Sequence, residues 1–378
     1  MELFFTQFST FELSVFGVVL LTFLVQLFTW LGYSLIATHR HHSHSPKGTV
    51  PPAISIVVVM EEDFDFLENR LPKLLAQQYA GDWEIVVVND CGGSDITDTL
   101  EGLAQSCPRL RHTTIRSDDR FKHSRKIPLL IGIKAAQYPN ILIADPTAEP
   151  ASDRWLTLMA RGFVGGTIVL GYTGFTDKTN PFIRASRLMT SMRYLKAAIV
   201  GNPYRGIFNN IGYTKEVFFR ARGFSHLRLT LGEDDLFVQR LAPYCQASII
   251  ISPTCAMRQT PYGGLRWWFA EERYRGFSMR YYPLSVRFAS FFDLLTRAIF
   301  VMGVVVIALL NIPYIWAYAA GIFVARELIV LWSAHRVMRR LGERRLMVTF
   351  LLYELLAPGL KSVVSISRRV APPKGVWK

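Results

Sequence analysis

The chain has 378 residues, half of them hydrophobic and 19% charged, with a mean hydropathy of +0.21. That balance excludes a disordered chain and a wholly soluble one. The formal charge of +14 admits nucleic acid or an anionic membrane surface as partner. Four scattered cysteines (Cys91, Cys107, Cys245, Cys255) lack CxxC spacing and argue against a disulfide scaffold or a cysteine zinc site.

After a twelve-residue N-terminal end, no residue from Leu13 to Thr38 is charged, and most are Leu, Val, Phe or Ile. A membrane span needs about 20 apolar residues, so this stretch predicts a transmembrane helix. A cleaved signal peptide fits less well, because Glu2 and Glu12 replace the basic region such a peptide carries. Trp30 and Tyr33 fall where interfacial aromatics are expected. The linker 39–53 follows, with histidines at 39, 41, 42 and 44; they read as a polar juxtamembrane cap rather than a metal tract, since no acidic or cysteine ligand accompanies them.

The β-branched run Ile54–Met60 predicts a buried strand, and Phe64–Tyr79 has helical spacing. Trp83–Asp90 predicts a second strand that ends in an acid, and Cys91-Gly-Gly-Ser-Asp95 a turn opening another helix. Asn140–Asp145 is a third strand, again ending in an aspartate. Strand–helix alternation with near-continuous apolar strands predicts an α/β doubly wound, mostly parallel sheet over 54–292. Ligands of such sheets sit at the carboxyl ends of strands, where Asp90 and Asp145 can face one crevice. Asp145 also reads as a helix cap followed by Pro146. The segment 177–203 predicts an amphipathic helix over the entrance to that crevice, touching the membrane.

A second apolar region, 293–335, is broken at Asn311-Ile312-Pro313 and predicts a transmembrane hairpin of spans 294–311 and 314–334. Arg326 and Glu327 inside the second span must face another helix or a polar cavity. The stretch 346–366, with Glu354, Pro358 and Lys361, predicts an interfacial helix within the basic tail 336–378. That tail carries +8 and the 48–292 segment +6, while both apolar regions sum to zero. The basic flanks place the middle of the chain and the tail in the cytosol at the cytoplasmic (inner) membrane, and the N-terminus outside.

Five segments together carry a resemblance. ISIVVV (54–59) with EIVVVNDCGGSDIT (84–97), Lys126-Ile-Pro-Leu-Leu-Ile-Gly-Ile-Lys-Ala-Ala136, Ile143-Ala-Asp145-Pro-Thr147-Ala-Glu149-Pro150, Leu231-Gly-Glu233-Asp234-Asp235-Leu236 and Trp268-Phe-Ala-Glu-Glu-Arg-Tyr-Arg275 occur in order across 54–282. They resemble the motif series of membrane-anchored bacterial members of glycosyltransferase family 2, which have a GT-A fold. The resemblance implies an inverting glycosyltransferase of cell-surface glycan assembly. Its donor is a nucleotide-diphospho-sugar and its acceptor a membrane-proximal glycan or lipid-linked group.

On that resemblance Asp234 is the general base, with Glu233 and Asp235 as like-charged neighbours that raise its pKa. Asp90, with Glu62 at the end of the first strand, lies on the donor side. Asp145 is the ligand for a divalent metal, Mg2+ or Mn2+, on the diphosphate. Lys126, Arg273 and Arg275 are cations for that diphosphate. Asn210, Trp267 and Trp268 are assigned to the acceptor. This sequence departs from the family pattern at Thr147, where the second Asp of D-x-D is usual, and at Glu272 and Gly276, where Gln and Trp are usual.

Without the resemblance, Glu233–Asp235 is also an acidic turn, Trp267 and Trp268 are core or interface aromatics, and Asn210 is a turn residue. Thr147 and Glu272 motivate a second function, a non-catalytic membrane module that binds nucleotide sugar or glycan. Three spans are few for the conduit of a processive synthase. No recognition element accompanies the basic run, so nucleic acid is not expected.

Overall fold

A computed structural model describes residues 9–41, 50–90, 92–115, 124–164, 167–225, 232, 234–310 and 315–370. Helix α1, Thr10–Tyr33, opens on a capping box between Ser9 and Glu12. Its buried residues Val19, Thr22, Gln26, Trp30 and Tyr33 recur at helical spacing, whereas Phe11, Leu21 and Phe28 are exposed. Trp30 and Tyr33 therefore belong to the packed stripe and not to an interfacial belt. They meet edge to face, and Trp30 packs the same way on Phe350.

The α/β domain is built on a seven-stranded sheet in the order β3-β2-β1-β4-β8-β6-β9: β1 (Ile54–Met60), β2 (Trp83–Asp90), β3 (Leu110–Ile115), β4 (Asn140–Ala144), β6 (Ile168–Leu170), β8 (Ile211–Thr214) and β9 (Ala247–Ile249). Strands β1 to β4 run parallel, and β8 is antiparallel to both β4 and β6. A small second sheet, β5-β10-β7, joins Ala148–Pro150, Met257–Gln259 and Thr173–Phe175. Both faces of the main sheet are covered, which is why its strands read as unbroken apolar runs. Val57 and Val59 enter one core, while Ile54, Ile56, Val58 and Met60 enter the other. Helix α2 (Ser94–Ser106) packs on β3, and α3 (Lys126–Ala135) on β1 and β2. The helical stretch expected over 64–79 starts at 64 as expected but ends sooner, at 75.

Helix α4, Pro181–Ile199, falls within the expected segment but is not a surface helix. It is buried around most of its circumference, Arg184 and Ser186 included, between the sheet and the apolar helices. After α5 (Leu236–Leu241) and α6 (Leu265–Arg275) come α7 (Leu284–Leu310), α8 (Ile315–Leu341) and α9 (Met347–Val370). By length and composition α1, α7, α8 and α9 are each apolar enough to cross a membrane. The turn at 311–314 lies outside the described residues.

Arg326 and Glu327 do face another helix. Arg193, Asp293, Arg297, Glu354, Arg326 and Glu327 form a string of alternating charge from α4 through α7 and α9 to α8. Gln26 of α1 joins it, accepting from Arg326 at 3.2 Å and donating to Thr296 at 2.7 Å. An isolated charge here would cost several kcal/mol, and alternation gives each one a partner.

At the domain end of this bundle, Arg340 donates to the His39 carbonyl at 2.8 Å, so the two basic flanks meet. His39 and His41 bond the Ile249 and Arg161 carbonyls of the α/β domain, as a polar cap does; His42 and His44 lie outside the described residues. Buried Glu343 ties the end of α8 to the domain through Arg184, Arg258 and Tyr172.

Candidate active site

Strands β2, β1 and β4 run parallel and end side by side, and the segments after β1 and β4 line a cavity of about 450 Å³. After β1 the chain turns at Glu62, whose φ of 34° is rare for a residue with a Cβ. Glu61 and Asp63 line the cavity, whereas Glu62 is exposed and outside its lining. After β4, Asp145 starts a tight turn and not a helix. Its Oδ1 accepts the Thr147 amide at 2.9 Å and also the Thr147 hydroxyl. Its Oδ2 accepts from Arg125 at 2.7 Å. Burial alone would raise the Asp145 carboxyl, but Arg125 and the two Thr147 bonds outweigh it and hold the group below its usual range.

Thr147, which departs from the family pattern, has a structural role. Its hydroxyl accepts from Gln259 Nε2 at 3.0 Å, and Gln259 Oε1 accepts from Arg187 at 3.1 Å. A continuous chain thus runs Arg125–Asp145–Thr147–Gln259–Arg187. Among the described residues no group of three His, Cys, Asp or Glu side chains could hold a metal ion. Of the carboxylates that line the cavity, the one the resemblance assigns to a divalent ion is Asp145, shared with Arg125 and Thr147. That fits an ion brought in on a diphosphate, since Mg2+ commonly takes one or two carboxylates plus phosphate oxygens.

Gly232, also in the lining, has a φ of 113° that glycine tolerates, and its carbonyl accepts the Phe237 amide at 2.9 Å. Asp234 lines the cavity, half-buried, 3.4 Å from Arg275, and its carbonyl accepts the Gly206 amide at 2.8 Å. Burial and then the Asp235 carboxylate raise the Asp234 carboxyl above its usual range, against Arg205 and Arg275. Asp235 is buried and caps α5 through the Leu236 amide at 2.6 Å. It also accepts from Ser278 at 2.5 Å and Tyr282 at 2.6 Å. Asp235 is therefore an anchor and electrostatic neighbour of Asp234. Glu233 lies outside the described residues.

Of the expected cations, Arg275 is in place between Asp234 and Glu271, the latter at 2.5 Å. Arg273 points away, toward the Ser367 carbonyl of α9 at 3.4 Å. Lys126 and Asp90 are buried behind the lining and do not form part of it. In their stead Arg125, Arg187 and Arg205 reach the cavity. Arg125 adjoins the expected Lys126, just before α3, and Arg187 lies in the segment assigned to the membrane.

The aromatic pair divides. Trp267 lines the cavity, with its ring edge-on to Phe175, whereas Trp268 is buried and donates to Ser186 at 3.0 Å. Asn210 is fully buried and has no surface in the cavity. It accepts from Trp155 Nε1 at 3.0 Å and donates to the Tyr172 and Cys255 carbonyls at 2.8 and 3.2 Å. Its neighbour Asn209 lines the cavity instead. Glu272 pairs with Lys361 of α9 and accepts from Ser186 at 3.3 Å. The cations Lys361, Arg205 and Arg275 hold its carboxyl below its usual range despite burial.

No family model and no curated protein sequence matches the chain. Among solved structures, a mannosyltransferase from Pyrobaculum calidifontis in complex with GDP-Man and Mn2+ aligns at TM-score 0.55 and 16% identity, over 92% of this chain and 99% of that one. S. aureus TarS 1-349 aligns at 0.42 and 12% identity, over 84% of this chain and 91% of that one. The same fragment with UDP-GlcNAc gives 0.43 and 14%, over 84% and 92%. The likeness to the mannosyltransferase shows that the chain shares its α/β fold, and this chain has apolar helices near both ends.

Proposed function

We propose that the chain is an inverting glycosyltransferase of cell-surface glycan assembly, moving a sugar from a nucleotide-diphospho-sugar to a membrane-proximal acceptor. The observation that carries this reading is the pairing, across one cavity, of a carboxylate with a raised pKa, Asp234, and a cluster of arginines. Arg125, Arg187, Arg205 and Arg275 give a diphosphate leaving group fixed positive partners as its charge grows. Asp234 accepts the proton of an acceptor hydroxyl while that oxygen bonds to the anomeric carbon. The carbon–phosphate oxygen bond breaks on the opposite face, and the configuration inverts.

Asp145 is the one protein ligand for Mg2+ or Mn2+, which when bound would neutralise diphosphate charge. The Mn2+ in the P. calidifontis mannosyltransferase complex supports a divalent ion as cofactor. Trp267 gives a sugar an aromatic face at the junction of donor and acceptor.

The meeting of both basic flanks at the domain end supports a cytosolic domain at the inner membrane. Helix α9 supports the interfacial reading of 346–366. It touches domain elements along its length, through Tyr353 to Ser186, Lys361 to Glu272 and Ser367 to Arg273. Its opposite face exposes Val348, Leu352, Leu356, Val363 and Ile366.

Purified full-length protein in detergent, given a panel of nucleotide sugars with Mg2+ or Mn2+, should release nucleoside diphosphate from at least one. Release from none would refute the enzyme. Donor binding without any turnover would instead favour the membrane binding module.

A further inference from the structure

A second cavity of about 320 Å³ adjoins the first and shares Arg187, Arg205, Ile207, Trp267, Glu271 and Arg275 with it. It runs from that common wall to the junction of α7 and α9. Its lining holds seven cations against two carboxylates, Glu271 and Glu272. Three of the cations are committed: Arg193 to Asp293, Arg275 to Glu271 and Asp234, and Lys361 to Glu272. The other four, Arg187, Arg205, Arg287 and Arg368, form no ion pair within 4 Å among the described residues, although Arg187 donates to Gln259 at 3.1 Å and Tyr282, Asp234 and Asp235 favour the Arg205 cation. Arg187 and Arg368 rest on the rings of Phe175 and Phe277, at 4.3 and 5.8 Å. Burial, with Arg275 and Arg205 nearby, pushes Arg187 down to about 10. Such crowding of guanidinium groups is relieved by a bound anion.

The rest of the cavity wall mixes apolar side chains, among them Met279, Leu294 of α7 and Val364 of α9, with the hydroxyls of Ser186, Thr190, Ser290 and Ser365. On α7 exposed Phe291 lines it, and exposed Leu284 and Phe288 stand within one turn of the lining Arg287. Both helices belong to the set apolar enough to cross a membrane. A free soluble anion has no use for such flanks, and a neutral lipid has no use for Arg287 and Arg368, which form no ion pair among the described residues.

We propose that the second cavity binds the acceptor as an amphiphile. Its phosphate or diphosphate lies among Arg187, Arg287 and Arg368, its hydrocarbon chain leaves between α7 and α9, and the distal part of its headgroup reaches the wall shared with the first cavity. This rests on reading the first cavity as the donor site. The shared chemistry is a lipid-borne phosphate, whether from a long-chain isoprenoid phosphate carrier or from a membrane phospholipid.

The full chain in phosphatidylcholine nanodiscs separates the possibilities. Binding of hexadecyl phosphate, of inorganic phosphate and of GDP and UDP is measured for the wild type and for the double variant Arg287→Gln/Arg368→Gln. The proposal expects hexadecyl phosphate to bind at least about tenfold more tightly than inorganic phosphate, and to weaken by at least about tenfold in the variant. Nucleoside diphosphate binding should change less than about twofold, which also reports that the variant is folded. Equal binding of inorganic and hexadecyl phosphate overturns the proposal, as does hexadecyl phosphate binding unmoved by the substitutions. Failure of GDP and UDP to bind the wild type, with hexadecyl phosphate bound, would instead remove the donor reading. Displacement of hexadecyl phosphate by phosphatidylglycerol in the disc identifies membrane phospholipid as the source; retention in its presence identifies a dedicated carrier.

Discussion

Arg326 of α8 and Glu354 of α9 form a two-pronged ion pair inside the helical bundle, with Nη1 to Oε2 at 2.8 Å and Nη2 bonded to Oε1. Both side chains are buried, and Glu354 Oε1 also meets Arg297 at 3.0 Å. Removing one partner leaves a charge with no water to replace it. Glu354→Gln should therefore destabilise the protein by about 3–5 kcal/mol, read as a lowered thermal midpoint in detergent. Because the pair itself gains little over apolar packing, Arg326→Leu/Glu354→Leu should recover much of that loss. A double variant no more stable than Glu354→Gln would show that the Gln26 and Arg297 contacts hold the bundle independently.

The raised carboxyl of Asp234 has a consequence for pH dependence. A general base must be deprotonated, so kcat should fall as pH falls through the Asp234 pKa. Burial and Asp235 move that fall above the ordinary carboxylate range, and Arg275 opposes the shift. Arg275→Gln should move the acid limb to still higher pH. Asp234→Asn should lower kcat by about 10²–10⁴-fold with donor binding retained. Unchanged turnover in Asp234→Asn would remove the assigned base.

What was legible in the sequence follows from how local each signal is. The strands Ile54–Met60 and Trp83–Asp90 lie where the apolar runs place them, because burial on both faces favours β-branched and aliphatic side chains at their centres. The acids were legible as a set but not individually. Asp234 and Asp235 are adjacent and both line the cavity, yet Asp235 is buried and spent on capping α5 and on bonds to Ser278 and Tyr282 far along the chain, whereas Asp234 is half-buried beside Arg275. The arginines were the least legible. Arg187 sits on a helix that reads as amphipathic, and only the packing of α6 and α9 around α4 turns it toward the cavity. Pairing of Arg326 with Glu354, 28 residues later, likewise needs the tertiary fold.

Asn210 tests whether a polar residue near a cavity serves the reaction or the core. Its amide makes three bonds to buried groups, and a truncated side chain strands the Trp155 indole and two carbonyls. Asn210→Ala should cost about 2–4 kcal/mol of stability. The KM for donor and for acceptor should each stay within about twofold at a temperature where the variant is folded. A raised acceptor KM with unchanged stability would restore Asn210 to the binding site.

Thr147 links Asp145 to Gln259 and, through it, to Arg187. Thr147→Val keeps the volume and removes the hydroxyl. Asp145 then loses one of the bonds that hold its carboxyl down, and Gln259 loses the oxygen that fixes its amide toward Arg187. At about 1 kcal/mol for each bond, donor KM should rise by roughly tenfold, with kcat less affected because Asp234 is untouched. Thr147→Asp acts in the other direction, placing a second carboxylate beside Asp145. Without a cation the two repel each other, so donor binding should weaken in chelator; with Mg2+ or Mn2+ the pair is a better ligand set than Asp145 alone. Titrating the divalent ion against donor KM in wild type, Thr147→Val and Thr147→Asp should therefore show the steepest metal dependence in Thr147→Asp. Equal metal dependence in all three would mean that the divalent ion is held away from Asp145.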